Sequence, residues 1–492
     1  MARNLKTRTA HTLKWNLVDR VATQVLYAVT GIVLARILSQ EDFGLVGAVL
    51  VFQAFASLIV DSGFSYALIQ RKRPTRLDYS TVLWFNLFVA ALLYAILYVG
   101  APLIAKCFQN DVRIIPLSRV LFLSIILNAS AIVQTNRLMK AMSVRMVAIS
   151  NSIGLSIGAV VGIILAVSGF GAWAIVWQTL STSAVKSLVL WTTSRWRPLS
   201  KFSLSALKSY FGIGSKMMLT SFLNTVFQNI YSFFIGNRAG LVPLGYYTQS
   251  DKWSKMGITS LSQVLTSSFL PALSAVQDEK ERFASIVSKM NRFTAYLLYP
   301  SIAGLILMAT PIFHTLFDTK WDPSIILFQL LLFRGIFTVL NSLYNNYLLA
   351  LGHSRYILWL EVLRDSVAIV ALVLSLPYIN YATPDNPVYG LTIIMWGQVA
   401  STIITWVATL YVTLKATKLS AGRFIADNIP YIAQTGVIIP IMATATMFIE
   451  NQALLLFAEA AIGVALYVGG NFLLGSKIQK EVFQFLLKRN EN

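Results

Sequence analysis

Charged side chains set inside long apolar runs are the residues of this sequence that could do chemistry. Asp19, Arg20 and Arg36 lie in a first apolar stretch, Asp61 in a second, Arg119 in a fourth and Lys186 in a sixth. Asp251, Lys252 and Lys255 follow in an eighth, Arg334 in a tenth, Glu361, Arg364 and Asp365 in an eleventh, and Glu459 in the last. A charge at membrane depth costs at least a few kcal/mol, so it faces water, a partner or a ligand. Cations outnumber acids among these residues, roughly eight to six, which suits an anionic ligand. A guanidinium grips phosphate oxygens bidentately, and an ammonium meets them as a point charge. Arg20, Lys252, Lys255 and Arg334 are the candidate anion-binding residues. Their structural alternative is pairing with Asp19, Asp251 or Glu361, while Arg36, Arg119 and Lys186 sit near enough to helix ends to snorkel.

Uncharged hydrogen bonders and flat rings would meet the polar groups of a ligand. Asn224 and Gln228 are the candidates for substrate contact, joined by Gln24, Tyr27, Tyr231, Asn341, Asn345 and Asn346. The same side chains could serve helix-to-helix hydrogen bonds, worth about 0.6 kcal/mol each. No phosphate-cradling Gly-Lys-Ser/Thr loop for ATP is present, so any work done across the bilayer would draw on an ion gradient. Asp19 and Asp61 are the candidate ion-coupling acids, with H+ or Na+ as the ion. His11, His314, His353 and Cys107 are too scattered for a metal site. No catalytic residue is assigned and no cofactor is expected.

These residues are carried by about fourteen apolar stretches, each near the 20 residues a helix needs to cross a bilayer. The expected spans are 14–37, 43–69, 79–105, 115–136, 146–168, 171–193, 212–236, 245–271, 286–310, 324–350, 356–379, 388–414, 428–449 and 453–474. The composition agrees, with 56% hydrophobic and 12% charged residues and a mean hydropathy of +0.66. A net charge of +20 would suggest nucleic acid in a soluble protein. Here roughly 28 Lys and Arg fall in alternate loops and tails and roughly 4 in the others, which is the positive-inside pattern and excludes that reading. Both termini are expected in the cytoplasm, and Met1 to Lys14 reads as a basic tail.

Sliding the chain by roughly 201 residues brings Asp19, Thr23, Tyr27 and Thr30 onto Thr220, Asn224, Gln228 and Tyr231, one helical stripe onto another. The same shift carries Phe43-Gly44 onto Leu244-Gly245. Two lobes in parallel repeat follow, with a substrate pathway between them. The expected organisation is an N-terminal six-helix lobe over 1–193 and a cytoplasmic amphipathic connector over 194–211, lying on the anionic inner leaflet. A C-terminal six-helix lobe follows over 212–414, then two additional transmembrane helices over 428–474 and a cytoplasmic tail over 475–492. The fold class is an all-α polytopic membrane protein.

The run LARILSQEDFGLVGAVLVFQAFASLIVDSGFSYALIQRKRPTRLDYSTVLWFNLFVA, from Leu34 to Ala90, resembles the N-terminal signature of polysaccharide transporters in the MOP flippase superfamily. LGYYTQSDKW (Leu244–Trp253) and LLFRGIFTVLNSLYNNYLLALGHSRY (Leu331–Tyr356) resemble that family's second lobe. The resemblance implies two lobes around a central cavity, with two helices appended. It also implies movement of an undecaprenyl-diphosphate-linked oligosaccharide from the inner to the outer leaflet of the bacterial cytoplasmic membrane. The implied partners are the lipid-linked oligosaccharide, membrane lipids and polysaccharide polymerase machinery. A multidrug antiporter of the same superfamily would want a cavity rich in acids and aromatics, against the cation excess. A membrane polymerase, ligase or acyltransferase would want an acid/base constellation and a large outer loop, and the sequence offers neither.

Overall fold

A computed structural model describes residues 2–61, 63–194, 196–267, 273, 276, 278–383, 386–417 and 419–481. Among them the chain is helical, with a single isolated bridge between Thr383 and Asn386 closing a turn. The far end of the expected amphipathic tail, beyond Glu481, lies outside the described residues. The chain forms two compact units, Met1–Thr248 and Gln249–Asn492.

The first unit holds α1 (Ala2–Ile37), α2 (Gln40–Asp61), α3 (Phe64–Gln70), α4 (Arg76–Cys107), α5 (Ile114–Leu121), α6 (Leu123–Lys140), α7 (Val144–Val167), α8 (Ala172–Thr193) and α9 (Leu204–Arg238). α10 (Leu241–Ser267) begins in this unit and runs on into the second. The second unit continues with α11 (Lys280–Leu307), α12 (Ala309–Leu316), α13 (Asp322–Ala350), α14 (Ser354–Ser375), α15 (Tyr389–Thr417), α16 (Ala421–Ala443) and α17 (Gln452–Leu473).

Helix starts follow local chemistry. Thr75 and Asp78 form a reciprocal capping box at α4, the Asp78 carboxylate accepting from Thr75 N at 2.7 Å. Ser39 and Asp42 do the same for α2. Asn451 accepts from Ala453 N and Leu454 N to open α17.

Nine helices, among the described residues, are long and apolar enough to cross a membrane, and ten if α11 and α12, bent by 58° at their junction, make one span. The fourteen expected crossings also need α8, α9, α10 and α14. These four carry polar residues at membrane depth, such as Thr182 and Lys186, Asn224 and Gln228, Asp251 and Lys255, or Glu361 and Arg364. The second expected span is broken, α2 ending at Asp61 and α3 resuming at Phe64. Gly63 turns the chain there with φ +68°, and a Cβ on it would collide with the Gly214 backbone of α9.

The connector grips protein as well as facing outward. Trp196 and Leu207 are buried with Phe64, Tyr79, Val82, Val133 and Tyr210, while Phe202, Leu204 and Phe211 are exposed. Side chains of α4 satisfy the connector's backbone: Ser80 Oγ accepts from Leu199 N at 2.8 Å, Thr81 Oγ1 accepts from Ser203 N at 3.2 Å, and Trp84 Nε1 donates to Leu199 O at 2.8 Å. Arg76 donates twice to Arg197 O. The strap thus seats α9 against α2, α3 and α4 in the first unit.

The roughly 201-residue shift reappears as a contact. A Cβ on Gly44 would run into the Leu241 carbonyl, and one on Gly245 into the Gln40 carbonyl. Gly44 and Gly245 are equivalent under the shift, as are Gln40 and Leu241, so the first turns of α2 and α10 cross reciprocally, backbone on backbone. Gly44→Ala should therefore destabilise the detergent-solubilised protein by about 1–3 kcal/mol through overpacking. Gly436→Ala, where the added methyl meets nothing, should leave the thermal midpoint unlowered or raise it, Ala being the better helix former. Equal midpoints for both variants would mean that the crossing is looser than the structure draws it.

Candidate functional site

The first unit carries Asp19, Arg20, Asp61, Asn224 and Gln228. On α1, Arg20 is exposed and the neighbouring Asp19 half-buried. Asn151 of α7 places its Nδ2 3.3 Å from both Asp19 carboxylate oxygens. Small residues bring α8 onto this face: a Cβ on Gly154 would stand 2.9 Å from Thr182 O and 3.1 Å from Lys186 Cβ. Asp19 thus has an amide donor beside it, on the helix that Lys186 of α8 packs against.

Asp61 closes α2 at the helix break. Ser65 Oγ donates to its carboxylate, and Asn136 Nδ2 of α6 donates to Ser65 Oγ at 2.7 Å. An acid, a hydroxyl and an amide thus stand in a chain where the backbone ladder is interrupted, a setting in which broken helices of membrane proteins bind ions. Asn224 and Gln228 are exposed on one stripe of α9, and neither bonds another described residue. Both amides are free to meet a ligand. The opposite face of α9 packs on α2 around an apolar cavity of about 250 Å³ walled by Phe52, Phe55, Ile230 and Phe233.

The second unit carries Lys252, Lys255 and Arg334. Lys255 Nζ is 2.6 Å from Asp251 Oδ2 one turn away on α10, the structural pairing that is the alternative to ligand binding. Lys252 Nζ lies 5.2 Å from the Trp253 ring centroid, a cation–π contact, and makes no ion pair among the described residues. Arg334 on α13 has no carboxylate partner among the described residues. Its Nη1 donates to Gln398 Oε1 of α15, and its Nε, buried, has no acceptor. The helices are held close at this level, Gly335 packing directly on Ile258 of α10. In α14, Arg364 pairs with both Glu361 and Asp365, at 2.6 and 2.9 Å, and is fully committed to them.

Outside the membrane, Arg113 clamps Asp111 through two nitrogens and also pairs with Glu41 at the start of α2. The Arg113 hydrogen bonds hold the Asp111 carboxyl below the usual carboxylate range. This cluster fixes the α4–α5 turn to α2 and has no part in the candidate site.

Sequence reasoning missed Asn151, Asn136 and Gln398, each a neutral amide in an apolar run whose only signal is its polarity. It also missed a buried cluster that bolts α16 to α11: Asp427 Oδ2 accepts from Ser288 Oγ at 2.5 Å, and its other oxygen lies 3.4 Å from Arg292 Nε. Tyr299 OH donates to Asn428 Oδ1 beside it. Asp427 falls just ahead of the apolar stretch 428–449, where it reads as an interfacial charge.

Residues 33–326 match the model of the family described as "Polysaccharide biosynthesis protein". Over 470 residues the chain is 26% identical to the succinoglycan biosynthesis transport protein ExoT of Rhizobium meliloti (strain 1021), covering 94% of this chain and 92% of that one. It is 22% identical over 374 residues to the lipopolysaccharide biosynthesis protein WzxC of Escherichia coli (strain K12), covering 76% of each. Among solved structures, the lipid II flippase MurJ in an inward closed conformation superposes with a TM-score of 0.72 at 14% identity, over 96% of this chain and 99% of that one. That likeness establishes the fold, the multi-helix architecture of that membrane protein.

The bond from Arg334 to Gln398 can be tested by stability. Gln398→Leu leaves a half-buried guanidinium without its protein acceptor and should cost about 1–3 kcal/mol in chemical denaturation of the purified protein. Gln398→Glu, which supplies a carboxylate, should recover that loss. A Gln398→Leu protein as stable as the unsubstituted one would show that Arg334 finds its partner elsewhere.

Proposed function

The chain belongs to the polysaccharide biosynthesis protein family, and from that premise we propose that it is a flippase. Its cargo is an oligosaccharide linked to undecaprenyl diphosphate, an O-antigen, capsule or exopolysaccharide repeat unit, moved from the inner to the outer leaflet of the cytoplasmic membrane. The observation that carries this reading beyond family membership is Arg334, a membrane-depth guanidinium whose only described partner is a neutral amide. A guanidinium offset by a carboxylate has little to offer a ligand. One held by a glutamine keeps its full charge for a diphosphate.

Each unit contributes candidates of its own. The second offers Arg334, with Lys252 and Lys255 as further cations, Lys255 having to exchange its Asp251 partner for phosphate. The first offers Arg20 as a cation and the unpartnered amides of Asn224 and Gln228 for glycan hydroxyls. Charge-assisted bonds to phosphate are worth roughly 1.5–3 kcal/mol, so losing one weakens binding about tenfold to a hundredfold. Alternating access releases the cargo by weakening this grip on the outer side. Energy comes from H+ or Na+ taken up at Asp61, whose Ser65–Asn136 chain sits at a helix break, or at Asp19. Both termini lie in the cytoplasm in this arrangement, with polymerase machinery receiving the flipped product.

Export of surface glycan in cells whose own flippase gene is deleted tests the reading. Arg334→Ala should abolish export while the protein still reaches the membrane, and Arg334→Lys should retain part of it, since charge survives and the fork is lost. Asp61→Asn should uncouple export from the ion gradient. If alanine at each of Arg20, Lys252, Lys255 and Arg334 left export at the unsubstituted rate with normal insertion, the cationic site would be wrong. Loss of the variants from the membrane would instead assign these cations to structural pairing.

A further inference from the structure

α13 and α15 run in the same direction, because Arg334 meets Gln398 and, further along both helices, Phe337 meets Trp406 at 5.4 Å. The Arg334–Gln398 bond identifies the facing side of each helix. Counting along α13 at helical spacing, Thr338, Asn341 and Asn345 share the face of Arg334. Along α15, Ser401, Thr405, Thr409 and Thr413 share the face of Gln398. All four hydroxyl residues are at least nine-tenths buried, as is Gln398 itself at 2% exposure. A polar seam therefore runs from mid-helix toward the end of α15, about 17–23 Å at 1.5 Å per residue.

The seam is not closed by its own hydrogen bonds. Arg334 Nε, Gln398 Nε2, Asn341 Oδ1, Asn345 Oδ1 and Thr413 Oγ1 are buried and have no partner among the described residues. Ser401, Thr405 and Thr409 donate to carbonyls of their own helix and keep acceptor lone pairs facing the seam. Orphan donors stand at the Arg334 end and at Trp406 Nε1, and orphan acceptors lie along the seam at Asn341, Asn345 and Thr413. In hydrocarbon each unmet group costs several kcal/mol. Water, which both donates and accepts and needs two to four polar partners, fits this alternation. A single bound anion would satisfy the two donors at Arg334 and leave Asn341, Asn345 and Thr413 unmet.

We propose that the α13–α15 seam is a water-filled path inside the second unit that reaches Arg334 from the end of α15. Its ligand is a file of water molecules bridging the two helices. The file gives Arg334 Nε and Gln398 Nε2 exchangeable acceptors, so an anion arriving at Arg334 displaces water and leaves protein bonds intact. That consequence rests on the flippase reading, whereas the hydration of the seam does not.

Cysteine reactivity tests it apart from any transport assay, since a thiol ionises and reacts only where water reaches it. In the full chain with Cys107→Ser, reconstituted in liposomes, Thr409→Cys and Thr413→Cys should react with a small cationic methanethiosulfonate about tenfold or more faster than Leu340→Cys and Leu343→Cys. Those two leucines are buried controls on α13. Seam cysteines no faster than the leucine-position controls would overturn the proposal. Radiolytic hydroxyl-radical labelling of the unsubstituted protein decides the matter even if the cysteine variants fail to insert. Trp406 beside the seam, only partly exposed, should oxidise at least as fast as Trp396 of the same helix, which is 53% exposed, and slower oxidation would overturn the proposal as well.

Discussion

Lipid offers no hydrogen bonds, and that constraint orders the rest of this molecule. Every backbone carbonyl, amide or charge that leaves a helix ladder must be met by protein, by water or by a ligand. Where α3 ends, the Lys140 ammonium takes the carbonyls of Leu68, Ile69 and Arg71 at once. Where the chain leaves α8, Arg137 donates to Ser194 O at 3.0 Å and Arg197 turns back onto Trp191 O and Trp196 O. The extended strap after it takes its partners from α4. Cations that the loop bias reads only as membrane-orienting charge thus also cap broken ends.

The same constraint separates structural charges from available ones. Glu361, Arg364 and Asp365 satisfy one another, and Asp427 is held between Ser288 and Arg292. Lys255 is committed to Asp251. Among the candidate site residues described, those left available are Arg334 with only an amide, Lys252 with only an indole, and Arg20, Asn224 and Gln228 on exposed helix faces. A protein that carries a charged lipid through hydrocarbon needs groups left over in this way, because a partner already in place competes with the cargo.

Much of this was legible in the sequence. The apolar periods placed a helix at every expected span, and the resemblance carried by Leu34–Ala90 is the family that residues 33–326 match. The expected repeat rests on a polar stripe and a pair of glycines, and the structure sets those two glycines in a reciprocal contact. What could not be read were partners distant in sequence. Arg334 and Gln398 are 64 residues apart and Ser288 and Asp427 are 139 apart, and helical periodicity carries no information across such gaps. The connector was harder still. Its aromatic and basic residues suit a leaflet-bound helix equally well, and the side chains of Arg76, Ser80, Thr81 and Trp84 that draw it onto α4 are ordinary in sequence.

The account depends on recognition of a charged lipid head inside the membrane. Its most direct measurement is translocation by the purified protein in liposomes, following arrival on the far leaflet of one oligosaccharide carried either on undecaprenyl diphosphate or on an uncharged polyprenyl ether. The account predicts protein-dependent transfer of the diphosphate form and little of the uncharged form. Equal transfer of both, or transfer no faster than in protein-free vesicles, would contradict it.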